Sequence, residues 1–266
     1  MFNNLLDFFT SLLTPDAMLL CAFAFLAGFV DSIVGGGGLI QLPALFIFAP
    51  QVDHATIFGT NKLSSICGTS VATVQYARRI DLDWHIAVIT AAFAFVFSFL
   101  GARVVSFIPK DFLRPLVLLL LVLVGVYTAI NKNFGAIHSP KLNRVQSHLY
   151  AALLGAGIGF YDGFFGPGTG SFLIVAFISI FGYDFLRASA TAKVVNFSTN
   201  LAALSYFAPS GNVMFSLGFT MGIFNILGAI LGTRLAMLKG SALVRALFLL
   251  VISAMILKFG YDTLTI

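Results

Sequence analysis

Long uninterrupted apolar runs dominate the chain, and short polar or glycine-rich stretches separate them. A helix needs about 20 apolar residues to cross the roughly 30 Å hydrocarbon core of a bilayer. The runs are continuous rather than alternating, which argues against an outer-membrane β-barrel. We predict helical segments at 17–34, 39–49, 57–77, 85–107 and 112–130 in the first half, and at 149–165, 171–181, 188–208, 213–236 and 242–260 in the second.

The second segment of each half is too short to cross a membrane as a helix. A helix of about 11 residues rises only about 16 Å, half the thickness of the hydrocarbon core. Each short segment follows a glycine cluster, IVGGGGL in the first half and FFGPGTG in the second. We interpret each cluster as the turn of a re-entrant hairpin that ends in a half-helix. A tight pair of short spanning helices is the alternative.

The two halves repeat the same acidic, glycine and basic positions at one constant offset along the chain: Asp31 as Asp162, Gly35 as Gly166, Lys62 as Lys193, and Arg103 as Arg234. An internal duplication in a membrane protein is typical of transporters built from two structural repeats. Each predicted repeat crosses the membrane an odd number of times, so the second repeat must be inserted upside down. The excess of Lys and Arg on the side of the central linker follows the positive-inside rule for this arrangement.

The sequence therefore predicts an all-α polytopic membrane protein with two inverted-topology repeats of five helical segments each. The first transmembrane repeat occupies 1–130, a cytoplasmic linker 131–148, and the second transmembrane repeat 149–266. We expect it in the bacterial inner membrane, surrounded by lipid, with both termini external. The pattern leaves assembly into a homodimer open.

Composition agrees with this class, because 59% of the residues are hydrophobic and only 9% are charged. A soluble domain carries about 25% charged residues. The net charge of +5 lies mainly in loops, and no basic stripe with interleaved aromatics suggests nucleic-acid binding. We predict no cofactor and no metal site, because the four histidines share no spacing and the two cysteines lie in apolar stretches.

Two lysines at the start of hydrophobic segments are the main candidates for binding a ligand. Lys62 ends the stretch GTNK and Lys193 ends ATAK. A lysine inside a membrane segment costs roughly 2.5–3.5 kcal/mol on insertion scales, so it normally faces a cavity or a partner. We predict an anion site in which Thr60, Asn61, Thr191 and Asn196 add hydrogen bonds. The simpler interpretation is that both lysines extend to the interface and anchor helix ends.

The glycine clusters are the second candidate feature. Gly35, Gly36 and Gly37 in the first half, and Gly166, Gly168 and Gly170 in the second, allow sharp turns and close approach of a ligand. Such backbone is tolerated at membrane depth only where it is buried or lines a cavity. We predict that these glycines line the site. Helix packing through small residues is the competing explanation.

Asp31 and Asp162 lie four residues before the glycine clusters, within apolar runs. A carboxylate in a membrane segment can carry a proton in a relay, so both are candidates for proton coupling. They could instead pair permanently with Lys62 or Lys193, or cap a half-helix. Further polar residues share a helical face with the lysines, Ser65 and Thr69 in one half and Asn196 and Asn200 in the other. They indicate either a cavity lining or hydrogen bonds between helices.

At these residues the sequence resembles the TauE/SafE sulfite-exporter family. The matching stretches are AGFVDSIVGGGGLIQLPAL (27–45), GTNKLSSICGTSVATVQYARR (59–79), GFYDGFFGPGTGSF (159–172) and ATAKVVNFSTNLAAL (190–204). The resemblance implies a bacterial inner-membrane transporter that exports a small anion such as sulfite or an organosulfonate, coupled to the proton gradient. The second half has ATAK where the first has GTNK, so the two sides of a site would differ chemically.

The predicted function is that of a secondary transporter of a small anion, working by alternating access between the repeats. An anion channel or an uptake permease of the same architecture is the main alternative. A lipid-modifying membrane enzyme is disfavoured because no clustered His, Ser or acidic constellation occurs. A subunit that needs partner proteins is a further alternative.

Overall fold

The structure, a computed structural model, describes residues 15–104, 135, 137–139 and 142–264. These ranges are helical, with no strand among them. The helices are α1 (Pro15–Val34), α2 (Gly37–Phe48), α3 (His54–Ala77), α4 (Trp84–Val104), α5 (Arg144–Phe164), α6 (Thr169–Phe181), α7 (Phe185–Phe207) and α8 (Phe215–Leu264). The all-α prediction is confirmed for these ranges, whereas the predicted segment 112–130 lies outside them.

Equivalent residues begin equivalent helices in the two halves. The side chain of Asp53 accepts a hydrogen bond from the backbone N–H of Ala55 at the start of α3. Asp184 does the same for the N–H of Arg187 at the start of α7. Carboxylates satisfy the unpaired N–H groups of a first helical turn, so these caps fix where each lysine-bearing helix starts.

Two helix boundaries differ from the sequence prediction. Helix α5 begins at Arg144, within the range assigned to the linker, because Asn143 and Gln146 form a capping box at its start. Helix α8 joins the last two predicted segments, and its backbone is non-helical only at Gly240, where φ is 69°. Glycine adopts this left-handed conformation without steric cost, so the chain bends there.

The two halves interlock through their long helices. Helix α1 packs mainly against α8, and α5 packs mainly against α4. The backbones approach closely at glycines: a Cβ at Gly28 would overlap the backbone of Asn225, and one at Gly159 would overlap that of Ala94. The two residues of the second contact are the sequence equivalents of the two residues of the first, with the halves exchanged. Each half therefore buries its first helix against the fourth helix of the other half.

Three helical stretches of the described chain are long and apolar enough to cross a membrane, Pro15–Val34, Trp84–Val104 and Phe215–Val251. The short apolar helices α2 and α6 contain 12 and 13 residues. They rise only about 18–20 Å, as their positions after the glycine clusters predict. Helices α3, α5 and α7 have spanning length but carry more polar side chains, and their crossing remains a prediction.

Candidate functional site

Two buried ion pairs connect the two halves of the protein. The Nζ atom of Lys62 on α3 lies 2.6 Å from Oδ2 of Asp162 near the end of α5, and these side chains are 4% and 2% exposed. The Nζ atom of Lys193 on α7 lies 3.1 Å from Oδ2 of Asp31 near the end of α1, with exposures of 0% and 17%. The lysines are therefore paired inside the protein and do not extend to an interface.

The two pairs are related in the same way as the two halves of the sequence. Each lysine binds the aspartate of the other half. The two residues of one pair are therefore the sequence equivalents of the two residues of the other pair. Reciprocal contacts of this kind also occur between subunits that are related by a two-fold axis. The sequence left open which aspartate each lysine would meet, and the structure pairs them across the halves.

The glycine clusters hold the two aspartates close to a crossing point of the backbone. Gly35 and Gly166 have φ angles of 77° and 90°, which ordinary L-residues rarely adopt. A Cβ at Gly35 would overlap the backbone of Gly170, and the N–H of Ser171 donates to the Gly35 carbonyl at 2.9 Å. The two glycine-rich turns thus touch each other, and this contact requires glycine on both sides.

A small cavity of about 20 Å³ lies beside the Lys62–Asp162 pair. That volume holds about one water molecule. Its lining is polar and comes from both halves: Asp31, Gly35, Gly38, Asn61, Lys62, Ser65, Asp162, Gly166, Gly168, Thr169, Gly170, Asn196 and Asn200. A larger cavity of about 260 Å³ lies elsewhere, near the linker, and it contains neither lysine. Lys62, Asp162 and Asp31 therefore line the smaller cavity, whereas Lys193 does not.

Amide and hydroxyl groups of α3 and α7 complete the cavity wall. The Asn61 side-chain oxygen is buried and has no hydrogen-bond partner within the described chain. The Nδ2 atom of Asn200 lies 3.5 Å from Oγ1 of Thr69, its equivalent position in the other half. The polar faces of α3 and α7 therefore meet at this pair of equivalent residues.

Most of the predicted site residues converge, but five do not line the small cavity. Lys193 and Gly37 both bind Asp31, the latter through a backbone N–H at 3.3 Å, and Gly36 only caps α2. Thr60 donates to the Thr56 carbonyl and accepts from the N–H of Met214. Thr191 donates to the Arg187 carbonyl and faces the larger cavity.

Four lining residues were not among the predicted ligands: Gly38, Ser65, Thr169 and Asn200. Helical spacing signals two of them, because Ser65 and Asn200 share a face with the lysine of their own helix. Thr169 follows Gly168 at the start of α6, a position whose side chain only the folded turn directs. No group of three or more potential metal ligands occurs among the described residues.

The chemistry of the cavity follows from its charge balance. Two ammonium groups face two carboxylates, so the site by itself is neutral with all four groups ionised. Removing charges from water is costly, and pairing with good geometry offsets that cost. An anion that enters must compete with a carboxylate for an ammonium group. The surrounding amides and hydroxyls can provide hydrogen bonds to its oxygens.

Comparison with known proteins agrees with this architecture. The chain is similar to the Probable membrane transporter protein YfcA of Escherichia coli (strain K12), with 35% identity over 97% of this chain and 96% of the relative. It is 36% identical to the Probable membrane transporter protein ORF9 of Sinorhizobium sp, over 90% of each chain. A Probable membrane transporter protein of Haemophilus influenzae is 34% identical over 92% of this chain and 94% of the relative.

No solved structure has significant similarity to the chain. The family model described as Sulfite exporter TauE/SafE matches residues 20–259. This match covers both ion pairs, both glycine clusters and nearly all of the helices that hold them, and it confirms the family predicted from these motifs. The chain therefore belongs to the TauE/SafE family of membrane transporters.

Proposed function

We propose that the protein is a proton-coupled secondary transporter of a small anion such as sulfite or an organosulfonate. Its family and its transporter relatives support transport, and the family description supports sulfite-like anions. Lys62 and Lys193 bind the anion in turn, while Asp31 and Asp162 release them and take up the proton. Export is the direction that the family description favours.

The neutral, buried and crossed pairs are the observation that carries this proposal. A monovalent anion adds one negative charge to a site whose charges already balance. An uncompensated charge in a dry site is expensive, whereas a proton on one aspartate restores neutrality. Anion and proton therefore enter the site together, and each lysine exchanges its carboxylate partner for the anion.

The crossed contacts also support alternating access between two inverted repeats. Each half contributes one lysine and one aspartate, so relative movement of the halves changes both ion pairs together. Transporters with inverted repeats bind substrate between the repeats near the middle of the membrane. We propose this arrangement here, with the bacterial inner membrane as location and both termini external.

Uptake is the second candidate direction, and the charge balance favours it. If one proton accompanies each anion, net movement is driven from the acidic side to the alkaline side. A bacterial membrane that is more acidic outside then drives the anion inward, unless a high internal concentration of the anion reverses the flow.

The test is flux of sulfite and of methanesulfonate into proteoliposomes under imposed pH gradients of both signs. We expect saturable flux that is faster from the acidic side, that is lost in Lys62→Ala and in Lys193→Ala, and that persists in Lys62→Arg at a reduced rate. Lys239→Ala is the matched control, because this lysine is exposed and lies outside the site.

Three outcomes would contradict parts of the proposal. Wild-type flux that survives both alanine substitutions would remove the lysines from the site. Flux that does not saturate and ignores the pH gradient would identify a channel. Absence of flux for both anions in a folded protein would exclude sulfite and simple sulfonates as substrates.

A further inference from the structure

The larger cavity of about 260 Å³ opens where the linker meets both halves; we name it the linker cavity. Its lining comes from the loop before α4, from the linker and the start of α5, and from the residues around the start of α7: Asp81, Leu82, Asp83, Ile86, His138, Leu142, Ser147, Phe181, Tyr183, Arg187 and Thr191. Thr191 lies two residues before Lys193 on α7. The linker cavity therefore borders the helix that carries one of the site lysines, on a different face of that helix from Lys193.

Polar groups inside the linker cavity lack protein partners. The Tyr183 side chain is only 6% exposed, yet its hydroxyl has no hydrogen-bond partner in the described chain, and the same holds for Nδ1 of His138. A buried polar group without a partner costs about 1–3 kcal/mol, so it normally meets water or a ligand. Burial and the nearby Asp83 carboxylate raise the pKa of Tyr183, against an opposing effect of Arg187. The hydroxyl therefore stays protonated and can donate a hydrogen bond.

The equivalent place in the other half is filled by protein. The loop at 211–214 closes over the start of α3, where the Thr56 hydroxyl lies 3.5 Å from Oδ1 of Asn212. The N–H of Met214 donates to the Thr60 hydroxyl at 3.0 Å. The offset between the halves maps this closed loop onto residues 80–83, which border the linker cavity. One side is therefore shut and the equivalent side is open.

One sequence difference at equivalent positions fits this asymmetry. Gly59 lies under the closed loop, and a Cβ there would overlap the Asn212 carbonyl oxygen. The equivalent residue is Ala190, which is fully buried and carries that Cβ. By the same geometry, the Ala190 Cβ would keep the loop at 80–83 from approaching α7 as closely as the loop at 211–214 approaches α3. The replacement of Gly59 in GTNK by Ala190 in ATAK therefore affects how closely each loop can cover its helix.

We propose that the linker cavity is the open entrance to the paired-charge site and that a small monovalent anion occupies it first. This inference rests on the proposed function. Tyr183, His138 and the guanidinium of Arg187, whose Nε lies 3.9 Å from Oδ2 of Asp184, hold the anion, and the loop at 80–83 is the gate that closes behind it. The opposite gate at 211–214 is shut in this conformation. The exposed carboxylates of Asp81 and Asp83 at the mouth repel dianions more strongly than monoanions.

The gate is tested by disulfide formation, which needs no substrate. In a background with Cys21→Ala and Cys67→Ala, one variant carries Thr56→Cys with Asn212→Cys at the closed gate. The other carries Asp81→Cys with Arg187→Cys, the equivalent pair at the entrance. We expect oxidation to join the first pair at least tenfold faster. A bifunctional thiol reagent with a longer spacer joins the second pair as well, which controls for its reactivity.

Exchanging the small residues provides the second arm of the experiment. Adding Gly59→Ala slows the disulfide at the closed gate severalfold, and adding Ala190→Gly accelerates the one at the entrance. Equal rates for the two pairs, or rates unaffected by both substitutions, would overturn the gate. Because these rates do not depend on transport, failure of the gate is distinguishable from failure of the proposed function.

Anion binding in the entrance is tested by sulfite flux. Tyr183→Phe removes only the unpaired hydroxyl and raises the half-saturating sulfite concentration severalfold, with the maximal rate retained. Tyr150→Phe is the matched control, because Tyr150 is exposed on α5 and lies outside the linker cavity. A Tyr183→Phe variant with the wild-type half-saturating concentration would show that no anion binds in the entrance. The gate would still be tested separately by the disulfide experiment.

Discussion

Replacing Asp162 by Asn leaves the Lys62 ammonium group buried without its counter-charge. The two side chains are 4% and 2% exposed and their charged atoms lie 2.6 Å apart, so water cannot take over the role of the carboxylate without rearrangement. Removing one partner of a buried ion pair typically costs about 3–5 kcal/mol. For a chain of this length we expect the melting temperature to fall by roughly 6–20 °C.

Removing both charges distinguishes two free energies: the net contribution of the ion pair to stability, and the destabilisation caused by leaving one partner unpaired. In the double variant Lys62→Met with Asp162→Ala, neither partner of this pair is left as an unpaired buried charge, and methionine keeps much of the lysine stem. Replacement of a whole buried ion pair by apolar groups is often close to neutral. We therefore expect the double variant to recover most of the lost stability, while anion flux stays absent because an ammonium group is missing.

The second ion pair is an internal comparison. Asp31 is 17% exposed and lies 3.1 Å from Lys193, so some solvent reaches its carboxylate. Solvation of one partner lowers the cost of losing the other. Lys193→Met leaves the partly solvated Asp31 unpaired, so it should destabilise the protein less than Lys62→Met, although the two lysines are equivalent in sequence.

A fluorogenic thiol dye measures these melting temperatures in detergent, because Cys21 is buried and Cys67 is partly buried in the folded chain. Unfolding exposes both cysteines and the signal rises. A single Asp162→Asn variant that melts within about 2 °C of wild type would refute the dry ion pair, since that shift corresponds to less than about 1 kcal/mol. A double variant as unstable as the single one would show that charge pairing is not the source of the loss.

Two further substitutions test the backbone crossing and one buried hydrogen bond. Gly35→Ala should cost more than the roughly 1–2 kcal/mol of the left-handed conformation, because its Cβ also overlaps the Gly170 backbone. Gly211→Ala has the same type of φ but open space, so its melting temperature should fall less, and an equal fall would contradict the crossing. Tyr76→Phe removes the donor to the Ser32 carbonyl, at 2.9 Å, and should cost about 0.5–1.5 kcal/mol in the same assay. An unchanged melting temperature would mean that this bond adds nothing to stability.

The sequence alone identifies the charged residues of the site because their rarity in an apolar chain makes them conspicuous. Lys62 and Asp162 are buried where a membrane segment makes an ionised group costly, so a partner or a cavity was required. The short helices were also predictable, since their length and the glycines before them are local features. Local signals of this kind do not depend on how the halves pack.

The crossed pairing was not predictable, because Lys62 and Asp162 meet only through the packing of α3 against the other half. The misplacement of Thr60 and Thr191 has a simpler cause. Residues two positions apart on a helix point about 200° from each other, so a threonine two places before a site lysine faces away from it. The difference between Gly59 and Ala190 is visible in the sequence. The structural effect of this difference depends on a loop from a distant part of the sequence, which packs against the helix only in the folded protein.

The crossed pairing also affects the order of events during synthesis and folding of the protein. Lys62 emerges from the ribosome 100 residues before Asp162, the residue that neutralises it. At synthesis rates of about 5–20 residues per second, that lysine waits roughly 5–20 s for its partner. During this interval the nascent first half must keep its ammonium group in water, at the insertion machinery or beside its own Asp31. If α3 crosses the membrane as predicted, its insertion is completed only when the second half arrives, and final folding is a late event for both halves together.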